Sequence, residues 1–209
     1  MTARAVRFSL RWAAMLLGVV VLFALITLGS AALWGTNSRE NFLANYLIAF
    51  PLLAEFLFLI SGASMAMPML PLMVAMGCTR RAAWAGMQIV TWLCWAVLLV
   101  VSLGMFRAAQ AFGMETIFSS GAVFNGLFLA LAGQLALPAG LLEGRLGRGL
   151  VAGGGSVLML GGLILGAMHE TGILPDPGFM AAQVVCAVAV VALFVASHRL
   201  AMRLAPKNA

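Results

Sequence analysis

Charged side chains are scarce in this sequence. They make up 9% of its 209 residues, whereas hydrophobic residues make up 64%. The mean hydropathy of +1.09 is more than the core of a water-soluble domain accounts for. The scarcity of charge therefore excludes an ordinary soluble protein and predicts an integral membrane protein.

Residues that bind metals or carry out acid–base chemistry are also few. The two histidines, His169 and His198, are predicted on opposite sides of the membrane, and Cys78, Cys94 and Cys186 lack metal-ligand or disulfide spacing. The sequence also has no glycine-rich phosphate-binding loop. We therefore predict no metal, no cofactor and no catalytic residues, so the chain is expected not to be an enzyme.

Long apolar runs are what the sequence does contain. A helix needs about 20 apolar residues to cross the hydrocarbon core of a bilayer, and six runs of this kind are present, each apolar on all sides. We predict an all-α integral membrane protein with six transmembrane helices in a single domain, residues 1–209. The predicted spans are 12–34, 42–66, 83–106, 119–142, 150–168 and 179–197.

The few basic residues are placed asymmetrically. Ten of the twelve follow even-numbered spans or precede the first span: Arg4, Arg7, Arg11, Arg80, Arg81, Arg145, Arg148, Arg199, Arg203 and Lys207. The other side has Arg39 and Arg107, together with four of the acidic residues: Glu40, Glu115, Glu170 and Asp176. The positive-inside rule then predicts cytoplasmic N- and C-termini.

The second apolar run is too long for one simple span. It extends from Phe42 to Met76 and contains Pro68 and Pro71, which lack a backbone N–H and disfavour helix in the preceding residue. We therefore expect the span to end near Ala66. Residues 69–81 would then form a short, separate element on the cytoplasmic surface, with a helix that ends at Gly77.

The N-terminal arginines have helical spacing. Arg4, Arg7 and Arg11 are separated by three and four residues, which places them on one helical face. This pattern favours either a short amphipathic helix on the inner leaflet or a frayed basic tail that only sets orientation.

Two polar residues lie deep within the predicted spans. Glu55 is the only acidic residue well inside a span, where an unpaired carboxylate is costly, and Gln134 lies at a similar depth in span four. We hypothesise that they form a hydrogen bond, either as part of a transport pathway or only to hold helices together. In span five, Gly162 and Gly166 favour close helix packing, either within one subunit or between two copies.

Two segments resemble a known family. Residues 70–81, LPLMVAMGCTRR, resemble the connection between the second and third spans in membrane subunits of ABC-2 type transporters, where an apolar surface helix ends in a Gly-x-Ser/Thr-Arg-Arg/Lys turn. Residues 140–148, GLLEGRLGR, resemble the end of the family's fourth span. Both segments fall on the side assigned to the cytoplasm by charge.

The resemblance implies a permease subunit that works beside a second permease copy, as a homodimer or heterodimer. The permease would lie in the inner membrane of a bacterium. Each copy would rest on a separate ATP-binding subunit that hydrolyses ATP. The residues that it implies for coupling to the ATPase are Gly77, Thr79, Arg80, Arg81, Arg145 and Arg148. Transport would be export, and residues 172–178 would form an outward gate or else a plain turn.

An alternative remains open. A small membrane protein without an ATPase, such as a secondary carrier or an immunity or accessory protein, would share the span count and charge pattern. Ion-coupled carriers usually have several intramembrane charges or broken helices, whereas Glu55 is the only such charge in this sequence. The substrate is not indicated, because a mostly apolar path suits lipids, peptides and amphipathic drugs.

Overall fold

The computed structural model describes residues 2–35, 45–113, 121–142 and 145–203, and all regular structure in these ranges is α-helical. The helices are α1 (Thr2–Trp34), α2 (Asn45–Ala75), α3 (Arg80–Ala111), α4 (Gly121–Leu141), α5 (Arg145–Glu170) and α6 (Asp176–Arg203). Each contains a stretch long and apolar enough to cross a membrane, which confirms the prediction of six long apolar helices. Residues 42–44 and 119–120 of the predicted spans, and the charges of Arg39, Glu40, Glu115 and Lys207, lie outside the described residues.

One end of the bundle collects most of the basic residues. The start of α1 meets the start of α3, where a Cβ at Gly86 would lie 2.7 Å from the Cβ of Ala5. The start of α3 also meets the end of α6, because the guanidinium of Arg80 bonds to the carbonyl of Met202. We call this the basic end. Its described arginines are Arg4, Arg7, Arg11, Arg80, Arg81, Arg145, Arg148, Arg199 and Arg203.

Helix α4 is the centre of the bundle. In its membrane-length segment 78% of residues are buried, compared with 11% in α6 and 17% in α5. It packs against α2, α6, α5 and α3, whereas α1 packs mainly against α3 and α2. The helices α5 and α6 therefore lie at the edge of the bundle, and their outer faces are apolar and exposed.

Small residues bring α2 and α4 together. A Cβ at Gly62 would lie 2.7 Å from that of Ala136, and a Cβ at Gly140 would meet the backbone carbonyl of Ala63. The two helices run in the same direction, and their backbones approach more closely than larger side chains would permit. This contact fixes the relative depth of the polar residues on the two helices.

The predicted end of span two near Ala66 is wrong. Helix α2 continues through Pro68 and Pro71 to Ala75, so residues 69–81 do not form a separate helix. Both proline rings are exposed, while Met69 and Met73 on the opposite face are 3% and 0% exposed and belong to one apolar cluster with residues of α3, α4 and α6. Packing on that face outweighs the missing N–H groups, as is common for prolines in membrane helices.

The basic N-terminal segment is the first part of α1. This helix begins at Thr2 and continues without interruption to Trp34, so Arg4, Arg7 and Arg11 lie exposed on its surface. On the opposite face Ala5 is buried against α3. The segment is thus neither a separate surface helix nor a frayed tail, because packing against α3 holds it in the bundle.

Candidate functional site

The turn between α2 and α3 has a defined backbone structure. Gly77 has a φ of +83°, its N–H donates to the carbonyl of Val74 at 2.9 Å, and the N–H of Cys78 donates to the carbonyl of Met73 at 2.9 Å. These two bonds form a Schellman motif, in which glycine is favoured at the left-handed position. Cys78 is buried in the same apolar cluster as Met73, which is the hydrophobic contact that accompanies this motif.

Thr79 starts the next helix. Its side-chain oxygen accepts a hydrogen bond from the N–H of Ala82 at 3.2 Å, as an N-cap residue does. Gly77 and Thr79, both predicted to couple to an ATPase, therefore have the local role of ending α2 and starting α3 within four residues. The turn that carries the two arginines is consequently short and well bonded.

Arg80 and Arg81 occupy the first turn of α3, which contains no acidic residue. A cation is unfavourable at a helix N-terminus because of the helix dipole. Arg80 is partly buried and donates from Nη1 to the carbonyl of Met202 at 3.1 Å, so its charge lies at the C-terminal end of α6, where a cation is favourable. The side chain of Arg81 is exposed. The two neighbouring arginines thus have different surroundings.

Arg145 and Arg148 lie in the first turn of α5, and both side chains are exposed. Helix α5 packs on α4 and α2, whereas α3 begins beside α1 and α6. The structure therefore places these arginines at the same basic end as Arg81 but against different helices. They form a second exposed basic position rather than part of the α2–α3 turn.

A buried polar network joins α3, α4 and α6 in the half of the bundle nearer the basic end. Gln88 and Gln134 exchange two hydrogen bonds, of 3.1 and 3.0 Å, and Gln88 also donates to the hydroxyl of Ser197 at 3.1 Å. The indole N–H of Trp84 donates to the same hydroxyl at 3.2 Å, and Ser197 donates to the carbonyl of Phe194. Gln88, Gln134 and Ser197 are each at most 4% exposed. Every polar group in the network thus has a partner, as burial requires.

The predicted hydrogen bond between Glu55 and Gln134 is wrong, because both ends of the Gln134 amide bond to Gln88. Glu55 lies seven residues before Gly62, and Gln134 lies two residues before Ala136, the contact point of Gly62. The five-residue difference places Glu55 roughly 7 Å farther from the basic end.

Sequence reasoning missed Gln88, Trp84 and Ser197. The signal was available, since Gln88 is the only amide side chain in the predicted third span.

Glu55 instead lines a small crevice between α2, α4 and α5. The lining residues are Pro51, Leu52, Glu55, Phe124, Asn125, Phe128 and Gly162, around a volume of about 10 Å³. Glu55 is 5% exposed, and its Oε2 has no hydrogen-bond partner in the described part of the chain.

A second cavity of about 40 Å³ lies among α1 to α4 and has a mostly apolar lining that includes Ser9 and Thr91.

The glycines of α5 face the interior of the subunit. Gly162 and Gly166 are buried, and a Cβ at Gly162 would lie 3.1 Å from the ring of Phe128. Of the two interpretations of this glycine pair, the structure favours packing within one subunit.

The connection between α5 and α6 is a compact turn. The N–H of Leu174 donates to the carbonyl of Met168 at 2.8 Å, and Gly172 has a φ of +73°. The ring of His169 stacks on that of Phe179 with centroids 3.9 Å apart, which ties the end of α5 to the start of α6.

Within the described ranges, no three His, Cys, Asp or Glu side chains come together in a way that could hold a metal ion. Comparison of the chain with protein-family models, with curated proteins and with solved structures gave no match.

Proposed function

We propose that this chain is the membrane-spanning permease subunit of an ABC-2 type transporter, an exporter in the cytoplasmic membrane of a bacterium. A second permease copy and separate ATP-binding subunits complete the transporter, and both termini of the chain are cytoplasmic. The single observation that carries the proposal is the α2–α3 turn, which is fixed by its Schellman motif and N-cap and presents the exposed Arg81 at the basic end.

The coupling element is the end of α2, the turn and the first turn of α3. It replaces the separate surface helix that the sequence suggested. A rigid, basic element suits docking on a soluble ATPase, because an arginine side chain can form two hydrogen bonds with one carboxylate. Arg145 and Arg148 supply a second contact on the same face of the membrane.

The contacts around the turn explain how its movement would reach the transport path. Arg80 connects the start of α3 to the end of α6, and Trp84 and Gln88, within the next two helical turns, bond to Ser197 on α6. Gln88 also bonds to Gln134 on the central helix α4. A force applied to the turn by an ATPase would therefore act directly on α4 and α6.

The test is purification of the tagged chain from its native membrane, followed by identification of ATP-binding proteins in the eluate and assay of their ATPase activity. We expect an ATP-binding subunit to co-elute, and Arg81→Glu to reduce its recovery at least about tenfold through loss of a charge-assisted contact. Arg107→Glu is the matched control, since Arg107 is an exposed arginine at the opposite end of α3. Equal recovery of the ATP-binding subunit with Arg81→Glu and Arg107→Glu would contradict the assigned docking element.

A second candidate function is a proton-coupled carrier without an ATPase. Buried Glu55 favours it, because its Oε2 has no hydrogen-bond partner among the described residues and such carboxyls mark proton paths in membrane proteins. Its test is reconstitution of the chain alone. An imposed pH gradient would then drive uptake or release of a solute, and Glu55→Gln would abolish this transport. That result would support the carrier and argue against the ABC-2 proposal.

A further inference from the structure

We propose that the Glu55 crevice binds one primary ammonium group of an amphipathic transport substrate. The inference names a substrate class for the proposed transporter and rests on that function. Its physical basis is the crevice between α2, α4 and α5, which Glu55 lines, and the buried Oε2 of Glu55, which has no partner among the described residues.

The charge of the crevice selects a cation. Among the described residues that line the crevice, Glu55 is the only ionisable one, and none is basic. A carboxylate at this depth is costly without an opposite charge. The described structure offers Oε2 no donor, so a cationic ligand would supply the missing partner.

The remaining lining favours an organic ammonium group over a metal ion. The rings of Phe124 and Phe128, with centroids 4.6 Å apart, line the same crevice and can contribute cation–π attraction. Among the described lining residues, Asn125 has the only other side-chain oxygen. Calcium and magnesium ions need about six oxygen ligands, which one carboxylate and one amide do not provide.

The size of the crevice restricts the ammonium group. A volume of about 10 Å³ holds one water-sized group. A primary ammonium group is close to that size, whereas a trimethylammonium group is much larger. Gly162 cannot be enlarged to change this fit without moving Phe128, because a Cβ there would lie 3.1 Å from the ring. The crevice is not fully enclosed, so an alkyl chain attached to the ammonium group could extend out of it.

Binding of tritiated dodecylamine to the purified wild-type chain in phosphatidylcholine nanodiscs tests the proposal. We expect saturable binding that dodecyltrimethylammonium and dodecanol do not displace. In Glu55→Gln the affinity should fall at least about tenfold, the loss of one charge-assisted hydrogen bond. The control is Glu170→Gln, which makes the same chemical change at an exposed residue outside the crevice and should bind normally.

Two results would overturn the proposal: equal binding by wild type and a folded Glu55→Gln variant, or equally strong competition by dodecyltrimethylammonium. The second result is obtained on the wild-type chain, so the test holds even if the variant does not fold. Addition of phosphatidylethanolamine to the nanodiscs identifies the source of the ammonium group. Competition with dodecylamine would indicate a lipid headgroup, and no competition a free amine. Because the ATP-binding subunit is absent, these outcomes are separate from those of the co-purification.

Discussion

Arg80 and Arg81 are adjacent in the sequence but have different roles in the fold. Arg80 reaches the carbonyl of Met202 at the end of α6, while Arg81 is exposed in the first turn of α3. The first is part of the structure of the bundle, and the second is available to a partner. This difference separates the structural role of Arg80 from the docking role proposed for Arg81.

Substitution of each arginine by alanine should therefore have different effects on stability. Arg80→Ala removes a charged hydrogen bond and a cation at a helix C-terminus, so we expect it to lower the free energy of unfolding by about 1 kcal/mol. Arg81→Ala should change it by less than about 0.5 kcal/mol. Thermal unfolding of both variants in the same detergent measures the difference, and equal destabilisation would contradict the assigned contact.

The glutamine pair gives a second prediction at the residue scale. Gln88→Leu or Gln134→Leu alone leaves a buried amide without its partner, which should cost about 1–2 kcal/mol. The double variant removes both amides and should cost less than the sum of the two single changes. A double-mutant cycle of unfolding in detergent measures this coupling, and strict additivity would argue against the pair.

The pairing of polar residues was the part of the site that the sequence predicted worst. Glu55 and Gln134 are both buried well inside long apolar helices, and their positions within apolar runs indicated this depth along the helices. Depth does not determine which neighbouring helix a side chain contacts. That depends on the rotation and register of α2, α3 and α4, which small residues such as Gly62 set through long-range contacts.

At the scale of elements, hydrophobicity predicted the six helices, but local proline rules misplaced the end of α2. The rules treat Pro68 and Pro71 as helix breakers, whereas the burial of Met69 and Met73 holds the helix together to Ala75. Gly77 and Thr79 were the more reliable boundary signals, since one ends α2 and the other starts α3.

The close contact of α2 and α4 predicts a strong effect of one methyl group. In Gly140→Ala the added Cβ would collide with the backbone carbonyl of Ala63, so we expect a loss of about 1–3 kcal/mol of stability. Gly149→Ala is the control, because a Cβ at that helical position meets nothing within 4 Å. It should be neutral or slightly stabilising. Thermal unfolding measures the stability of both variants. An unchanged stability of Gly140→Ala would contradict the close contact of α2 and α4.

At the scale of the whole molecule, burial is distributed unevenly. The core lies around α4, while α5 and α6 have long exposed apolar faces suited to lipid or to a second copy of the chain. The polar contacts that join α3, α4 and α6 lie at the basic end and in the half of the core nearer to it. This arrangement supports the proposed function, in which the subunit receives a mechanical input at the basic end and passes it to its central helix.

The most direct test of the central claim is native mass spectrometry of the complex purified from the native membrane. The proposal predicts an assembly of two permease chains with two ATP-binding subunits, whose ATPase activity depends on the permease. A chain that leaves the membrane alone, or only with copies of itself, would contradict the assignment as an ABC-2 type permease.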